Sequence, residues 1–216
     1  MKKFVKGLIF DLDGTLIDSR RDILESVNIT LVAMGLAALP PEQIAGYVGD
    51  GIKNLVGSCL AQFGREDLLD SGVAQLKHCY GQHLLDHTRP FPGVMEVLDG
   101  FISKRMAVIS NKPANFTNQI LDALGMQKYF SCVLGGDSLP VKKPDPLPVK
   151  KVLEEWKAQP SEVVIVGDSL HDIEAGKKAG ILTCAVTYGF KSPEQMRQSG
   201  ADWVIDALPE LRDKVC

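Results

Sequence analysis

Residues 7–19 read Gly-Leu-Ile-Phe-Asp-Leu-Asp-Gly-Thr-Leu-Ile-Asp-Ser, or GLIFDLDGTLIDS. The apolar run from Val5 to Phe10 predicts a strand that is covered on both faces, because no polar residue alternates with the apolar ones after Lys6. The strand then runs straight into Asp11 and Asp13. A buried carboxylate is costly unless a charge partner compensates it, so the stretch raises the question of what meets these two aspartates.

Further along the chain the same kind of run recurs at Met106–Ile109, Cys132–Leu134, Val163–Val166, Leu182–Val186 and Trp203–Ile205. Helix-length segments separate most of them, among them Pro113–Leu124 and Leu170–Ala179, the latter followed by Gly180 as a C-cap. Strands alternating with helices predict an α/β fold, a doubly wound parallel, Rossmann-like sheet. One interval departs from this rhythm. Between about Ser19 and Arg89 only helical periodicity is legible, punctuated by Pro40-Pro41, Gly46, Gly49-Asp-Gly51 and Gly64. The expected organisation is therefore a core of residues 1–18 and 90–216 with a small helical domain, residues 19–89, inserted after the first strand.

Ligands of parallel sheets gather beyond the carboxyl ends of the strands, and there each main strand carries polar residues. The first runs into Asp11-Leu-Asp13-Gly-Thr15, the second into Ser110-Asn111 and the Val163–Val166 strand into Gly167-Asp168-Ser169, with Asp172 one helical turn on. Lys142-Lys143-Pro144 precedes another helix. Asp11, Asp13 and Asp168 in one crevice would repel one another and invite a hard divalent cation, Mg²⁺ first. Ser110, Asn111 and Lys143 supply a hydroxyl, an amide and an ammonium for the remaining oxygens of a phosphate. Phosphoryl transfer needs this charge neutralisation and positioning. One aspartate can attack phosphorus, and the other can protonate the leaving oxygen and later deprotonate water. Blander readings stand beside these. Asp11–Thr15 can form an Asx-turn, Ser110-Asn111 can open a helix, and Lys143 can be one of a solvated pair, although Pro144 biases it toward a fixed, extended backbone.

Taken in order, Asp-x-Asp-Gly-Thr, Ser-Asn, Lys-Pro and Gly-Asp-Ser-x-x-Asp resemble the four motifs of the haloacid dehalogenase superfamily of aspartate-nucleophile phosphohydrolases. The resemblance spans nearly the whole chain and includes the helical insert, as a cap of the kind placed after the first strand. It implies that Asp11 is the nucleophile and Asp13 the general acid/base, and that Ser110 and Lys143 bind the phosphoryl group. It also implies that Asp11, the Asp13 backbone carbonyl and Asp168 ligate Mg²⁺, with Thr15 and Asp172 in support. Within the superfamily, FDLDGTLIDS, YVGDGIKNLV, VISNKP and GGDSLPVKKPDP are most similar to the phosphoglycolate phosphatases, which implies a small phosphorylated substrate. Lys53 in the cap's glycine-rich turn, and Arg20 near its start, would meet a substrate carboxylate; Lys53 also reads as a solvated helix residue.

Several other classes are weighed against this. A β-phosphoglucomutase-like mutase would carry a further basic residue in the cap loop, where Gly49–Lys53 offers no arginine. A dehalogenase would not need Asp13, and a phosphonate hydrolase would need a cap lysine, for which Lys53 is the one inviting candidate. A pyrophosphatase or other small-metabolite phosphatase keeps the same four motifs, and a non-enzymatic binder would have no use for all of them together. The 216 residues are 45% apolar and 24% charged with net charge −3, and the basic residues are scattered, which argues against nucleic acid or an anionic membrane as partner. The beginning of the sequence lacks the long apolar run of a signal peptide. Five widely spaced cysteines without a Cys-x-x-Cys pattern point to reduced thiols and a cytoplasmic location. Monomer and homodimer both remain open. Cys79, His83 and His87 repeat every four residues and would share a face if helical, a spacing compatible with zinc but without an evident fourth ligand; packing and surface roles are the plainer reading.

Overall fold

The computed structural model describes residues 2–216 and divides into two compact units, Ser19–Arg89 and the remainder of the chain. The strands are β1 (Gly7–Phe10), β2 (Ile17–Asp18), β3 (Arg89–Pro90), β4 (Arg105–Ile109), β5 (Cys132–Leu134), β6 (Val163–Gly167), β7 (Leu182–Val186) and β8 (Trp203–Ile205). Six of them form one sheet in the order β5-β4-β1-β6-β7-β8, and every neighbouring pair is parallel. The mixed α/β fold with a six-stranded parallel core is thus the one the apolar runs predict. β1 lies at its centre, with Phe10 level with Val108 on one side and Val166 on the other.

The helices are α1 (Arg20–Ala33), α2 (Pro41–Gly46), α3 (Ile52–Ala61), α4 (Leu69–Gln82), α5 (Val94–Gly100), α6 (Ala114–Ala123), α7 (Leu147–Trp156), α8 (Leu170–Ala179), α9 (Pro193–Arg197) and α10 (Leu211–Lys214). One face of the sheet, built from Ile9, Ala107, Ile109, Val163 and Ile165, packs on Val149, Val152 and Trp156 of α7 and Ala175 of α8. Alternation sends Leu8, Phe10, Met106, Val108, Val164 and Val166 to the opposite face, and these are buried as well. Both faces are therefore covered, which is why the strands carry no polar alternation. Phe10 meets Phe130 edge to face at 6.5 Å. Gly180 caps α8 with φ of 76°.

Ser19–Arg89 contains α1 to α4 and has its own core, in which α4 packs against both α1 and α3. Ile23, Val27, Leu31, Leu55, Val56, Cys59, Leu60, Leu76 and Tyr80 are buried there. A polar fastening accompanies this apolar core. Asp22 in the first turn of α1 is 1% exposed, and its carboxylate accepts the backbone N–H of His87 at 3.0 Å, that of Thr88 at 2.8 Å and the Thr88 hydroxyl at 2.7 Å. The His87 ring Nδ1 lies 2.8 Å from the same carboxylate. Burial works to raise the Asp22 pKa, but the hydrogen bonds from Thr88 and His87 outweigh it and hold the carboxyl below its ordinary value.

Candidate active site

Asp11 follows β1 directly, and its backbone N–H continues the ladder to the Val166 carbonyl at 2.9 Å. The chain then folds tightly on itself. Leu16 and Ile17 both donate backbone N–H bonds to the Leu12 carbonyl, and Gly14 donates to Ile17 at 2.9 Å. Gly14 sits at φ of +83°, where a side chain is strained, and a Cβ there would strike the Asp168 carboxylate. The loop can therefore close against Asp168 only with glycine at this position. Thr15 is buried, with its hydroxyl 3.5 Å from Asp168 and its carbonyl accepting the Tyr188 hydroxyl at 2.8 Å.

The second cluster of strand ends belongs to β6. Asp168 is 3% exposed and Asp172, in the first turn of α8, is fully buried. Ser169 and Asp172 make a reciprocal N-cap: the Asp172 carboxylate accepts the Ser169 backbone N–H at 3.1 Å and its hydroxyl at 2.6 Å. Asp168 accepts the Phe190 backbone N–H at 2.7 Å. That N–H is presented by the turn at Gly189, where a Cβ would collide with Asp168.

Lysines answer the carboxylates. Lys143, 2% exposed, lies 2.8 Å from Asp11 and 2.5 Å from Asp172. Its carbonyl accepts the Asn111 side-chain amide at 3.1 Å, and its peptide bond to Pro144 is cis. A second buried lysine, Lys112, has its ammonium 2.5 Å from Asp13. Ser110 is buried at the end of β4, with its backbone N–H on the Leu134 carbonyl at 2.9 Å and its hydroxyl accepting from the Lys112 N–H at 3.2 Å. At the strand ends Lys143 thus joins Asp11, Asn111 and Asp172, Lys112 joins Asp13 and Ser110, and Thr15 meets Asp168.

Sequence reasoning passed over Lys112, the Phe190 N–H and the direct pairing of Asp172 with Lys143. Lys112 carried a usable signal, since it precedes Pro113 just as Lys143 precedes Pro144, at the start of a helix. The Phe190 N–H had none, because a backbone donor leaves no mark in the residue types.

Charge balance identifies what the crevice can hold. Burial is the largest influence on Asp11 and raises its pKa well above the ordinary value; Lys143 opposes this, while Asp172 and Asp168 add to it. Burial, with Asp172 beside it, likewise raises Asp168 to about 7, against the pull of the Phe190 N–H and Lys143. Burial works to lower the Lys143 pKa, but Asp11 and Asp172 outweigh it and keep the ammonium charged. Asp11, Asp168 and Asp172 bring ligand oxygens within 4.8 Å of one another. Three buried carboxylates around one ammonium leave an excess of negative charge, and hard oxygen donors in such a cluster fit a divalent cation.

The remaining candidates belong to other elements. Arg20 opens α1 and is half-buried, and Lys53 is an exposed residue in the first turn of α3; both belong to the helical unit. Cys79, His83 and His87 do not share a helical face, because α4 ends at Gln82. Cys79 is buried, His83 pairs with Asp86 at 2.7 Å and His87 faces Asp22. Among the described residues they form no metal-ligand cluster.

Comparison with known proteins gives the family. Residues 8–186 match the family model described as haloacid dehalogenase-like hydrolase. The chain is 38% identical to a phosphoglycolate phosphatase of Vibrio parahaemolyticus over 98% of its length and 96% of the relative's. It is 37% identical to one from Neisseria meningitidis, over 98% and 94%. The crystal structure of a predicted phosphoglycolate phosphatase from Haemophilus somnus 129pt superposes with a TM-score of 0.89 at 31% identity, covering 97% of each chain. The chain belongs to the haloacid dehalogenase-like hydrolase family.

Proposed function

We propose that the protein is a Mg²⁺-dependent phosphatase of small phosphomonoesters that works through an aspartyl-phosphate on Asp11, with 2-phosphoglycolate as its first substrate. The observation that carries the chemistry is the Asp11 carboxylate at the end of the central strand, paired with Lys143 at 2.8 Å and grouped with Asp168 and Asp172. The choice of substrate rests on the relatives in Vibrio and Neisseria, which carry the phosphoglycolate phosphatase name.

In this reading an Asp11 oxygen attacks phosphorus, the P–O bond to the leaving group breaks, and Asp13 donates a proton to the departing oxygen. Asp13 then takes a proton from water as that water attacks phosphorus, and phosphate leaves Asp11 as a carboxylate again. Lys143, Ser110 and Asn111 hold the non-bridging oxygens where charge develops. Lys112 keeps the Asp13 carboxylate oriented from 2.5 Å. Asp11, Asp168 and the Asp13 carbonyl would hold Mg²⁺, supported by Asp172 and Thr15. When bound, the ion neutralises the carboxylates and the phosphate so that like charges can approach.

The unit Ser19–Arg89 serves as the cap that selects the substrate, Lys53 and Arg20 meeting the carboxylate of 2-phosphoglycolate. The five free cysteines suit a reducing, cytoplasmic setting. No helix among the described residues is long and apolar enough to cross a membrane.

The test is kcat/KM across a panel of phosphorylated metabolites with p-nitrophenyl phosphate as reference, with Mg²⁺ and after EDTA. The reading predicts 2-phosphoglycolate first, activity lost in EDTA and restored by Mg²⁺, and a preference weakened by Lys53→Ala with p-nitrophenyl phosphate hydrolysis spared. A hexose phosphate or pyrophosphate ranking first would reject the substrate, and full activity in metal-free buffer would reject the metal.

A further inference from the structure

Lys157 has φ of 50° and is the only non-glycine residue with positive φ among the described residues. It follows α7 at the position where glycine is the usual occupant because it meets no steric penalty there. Lys157 lines a surface cleft of about 510 Å³ together with Phe4, Lys6, Lys104, Arg105 and Trp156. The cleft is far from the crevice just described. Lys6 immediately precedes β1 and Arg105 opens β4, whereas Asp11 and Ser110 follow the other ends of the same two strands. At the rise of an extended chain the separation along β1 is roughly 15 Å.

Four cations line this cleft and no carboxylate does, in a chain whose net charge is −3. Among the described residues Glu162 is the only carboxylate paired with any of the four, at 2.7 Å from Lys6. Two of the others are anchored by neutral groups. Lys104 donates to the Val5 carbonyl at 2.8 Å and Arg105 to the Trp156 carbonyl at 2.5 Å. Such bonds position an ammonium and a guanidinium without cancelling their charge, so positive potential accumulates in the cleft. Phe4 leaves 63% of its surface exposed at the rim, with the Lys104 ammonium 5.7 Å from its ring centre. An exposed ring beside cations is a surface on which a flat base can stack.

We propose that this cleft is a second, non-catalytic binding site for a small polyphosphorylated anion. Its volume lies within the range of small-ligand pockets, about 300–1,000 Å³. A chain of linked phosphates can reach several of the four cations at once, whereas a single phosphate engages one or two. Arg105 offers a planar fork for two phosphate oxygens, and the lysines act as point charges on the rest.

The test is calorimetric titration of the full-length, metal-free protein with inorganic tripolyphosphate and, separately, with ATP. The proposal predicts binding of both, weakened at least about fivefold by Lys157→Gly and by Arg105→Gln. Lys157→Gly should leave the melting temperature unchanged or higher, since glycine adopts this backbone freely. Lys151→Ala, which removes an exposed lysine of α7 paired with Glu154, should bind like wild type. Tighter binding of ATP, with the gain lost in Phe4→Ala, assigns a nucleotide to the cleft; equal affinities assign an inorganic polyphosphate. The proposal is overturned if neither compound binds at millimolar concentration. It is equally overturned if both bind Lys157→Gly and Arg105→Gln as they bind wild type, because the polyanion then sits elsewhere.

Discussion

Lys143 faces two carboxylates at once, Asp11 at 2.8 Å and Asp172 at 2.5 Å, from a position that is 2% exposed. Its neighbour Lys142 is half-buried. Truncating Lys143 removes a charge-assisted contact worth about 1.5–3 kcal/mol, so Lys143→Ala should lower kcat/KM by about one to two orders of magnitude. It should also lower the melting temperature, because two buried carboxylates lose their cation. Lys142→Ala should change neither quantity by much. Steady-state kinetics and a thermal melt of the two variants check this, and equal effects would show that the wrong lysine had been chosen. Which residues stand at the strand ends was legible in the sequence, since a polar residue closing an apolar run can sit nowhere else in a parallel sheet. Partners set by tertiary approach were not legible: nothing local in Ser-Asn-Lys-Pro says that the Lys112 ammonium reaches back to Asp13.

At the scale of elements, apolar runs such as Val163–Val166 announced their strands because both faces are buried and no polar residue interrupts them. Leu170–Ala179 announced its helix through the Gly180 that follows it, whereas the Ser169–Asp172 cap at its start emerged only in the structure. The end of α4 was harder to see. The four-residue spacing of Cys79, His83 and His87 imitates a helical face, yet the helix stops at Gln82 and His87 turns instead toward Asp22. That fastening joins the start of α1 to residues 87 and 88 inside the helical unit. Asp22→Ala would strand the His87 and Thr88 N–H groups, a loss of at least about 1.5–3 kcal/mol for bonds to a charged acceptor. The sign of its pH dependence follows from the lowered pKa. Stability from Asp22 is fully present above the unfolded value near 3.8 and is lost as pH falls through the lower folded value. Melts of wild type and Asp22→Ala should therefore lie far apart at neutral pH and converge in acid; a constant gap would contradict the assignment.

For the molecule as a whole, the sheet brings together carboxylates from two strands, and their charge couples stability to pH in the opposite sense. Asp168 is raised from 3.8 to about 7, so the metal-free folded state holds a proton there that the unfolded chain has released. The Asp168 contribution should then become less favourable as pH rises from about 4 to about 7, by up to about 1.4 kcal/mol per unit. Metal-free wild type should lose melting temperature relative to Asp168→Asn across that window, and added Mg²⁺ should restore more of it at the upper end. A pH-independent difference would mean that Asp168 is ionised throughout.

The central claim, that Asp11 carries the phosphoryl group, is tested most directly by quenching the turning-over enzyme in acid and sequencing its peptides by mass spectrometry. The peptide containing Asp11 should gain the mass of one HPO₃ on that side chain, and Asp11→Asn, folded as shown by its melt, should show neither the modification nor turnover. Steady-state activity retained by folded Asp11→Asn, or phosphate found on another residue, would contradict the account.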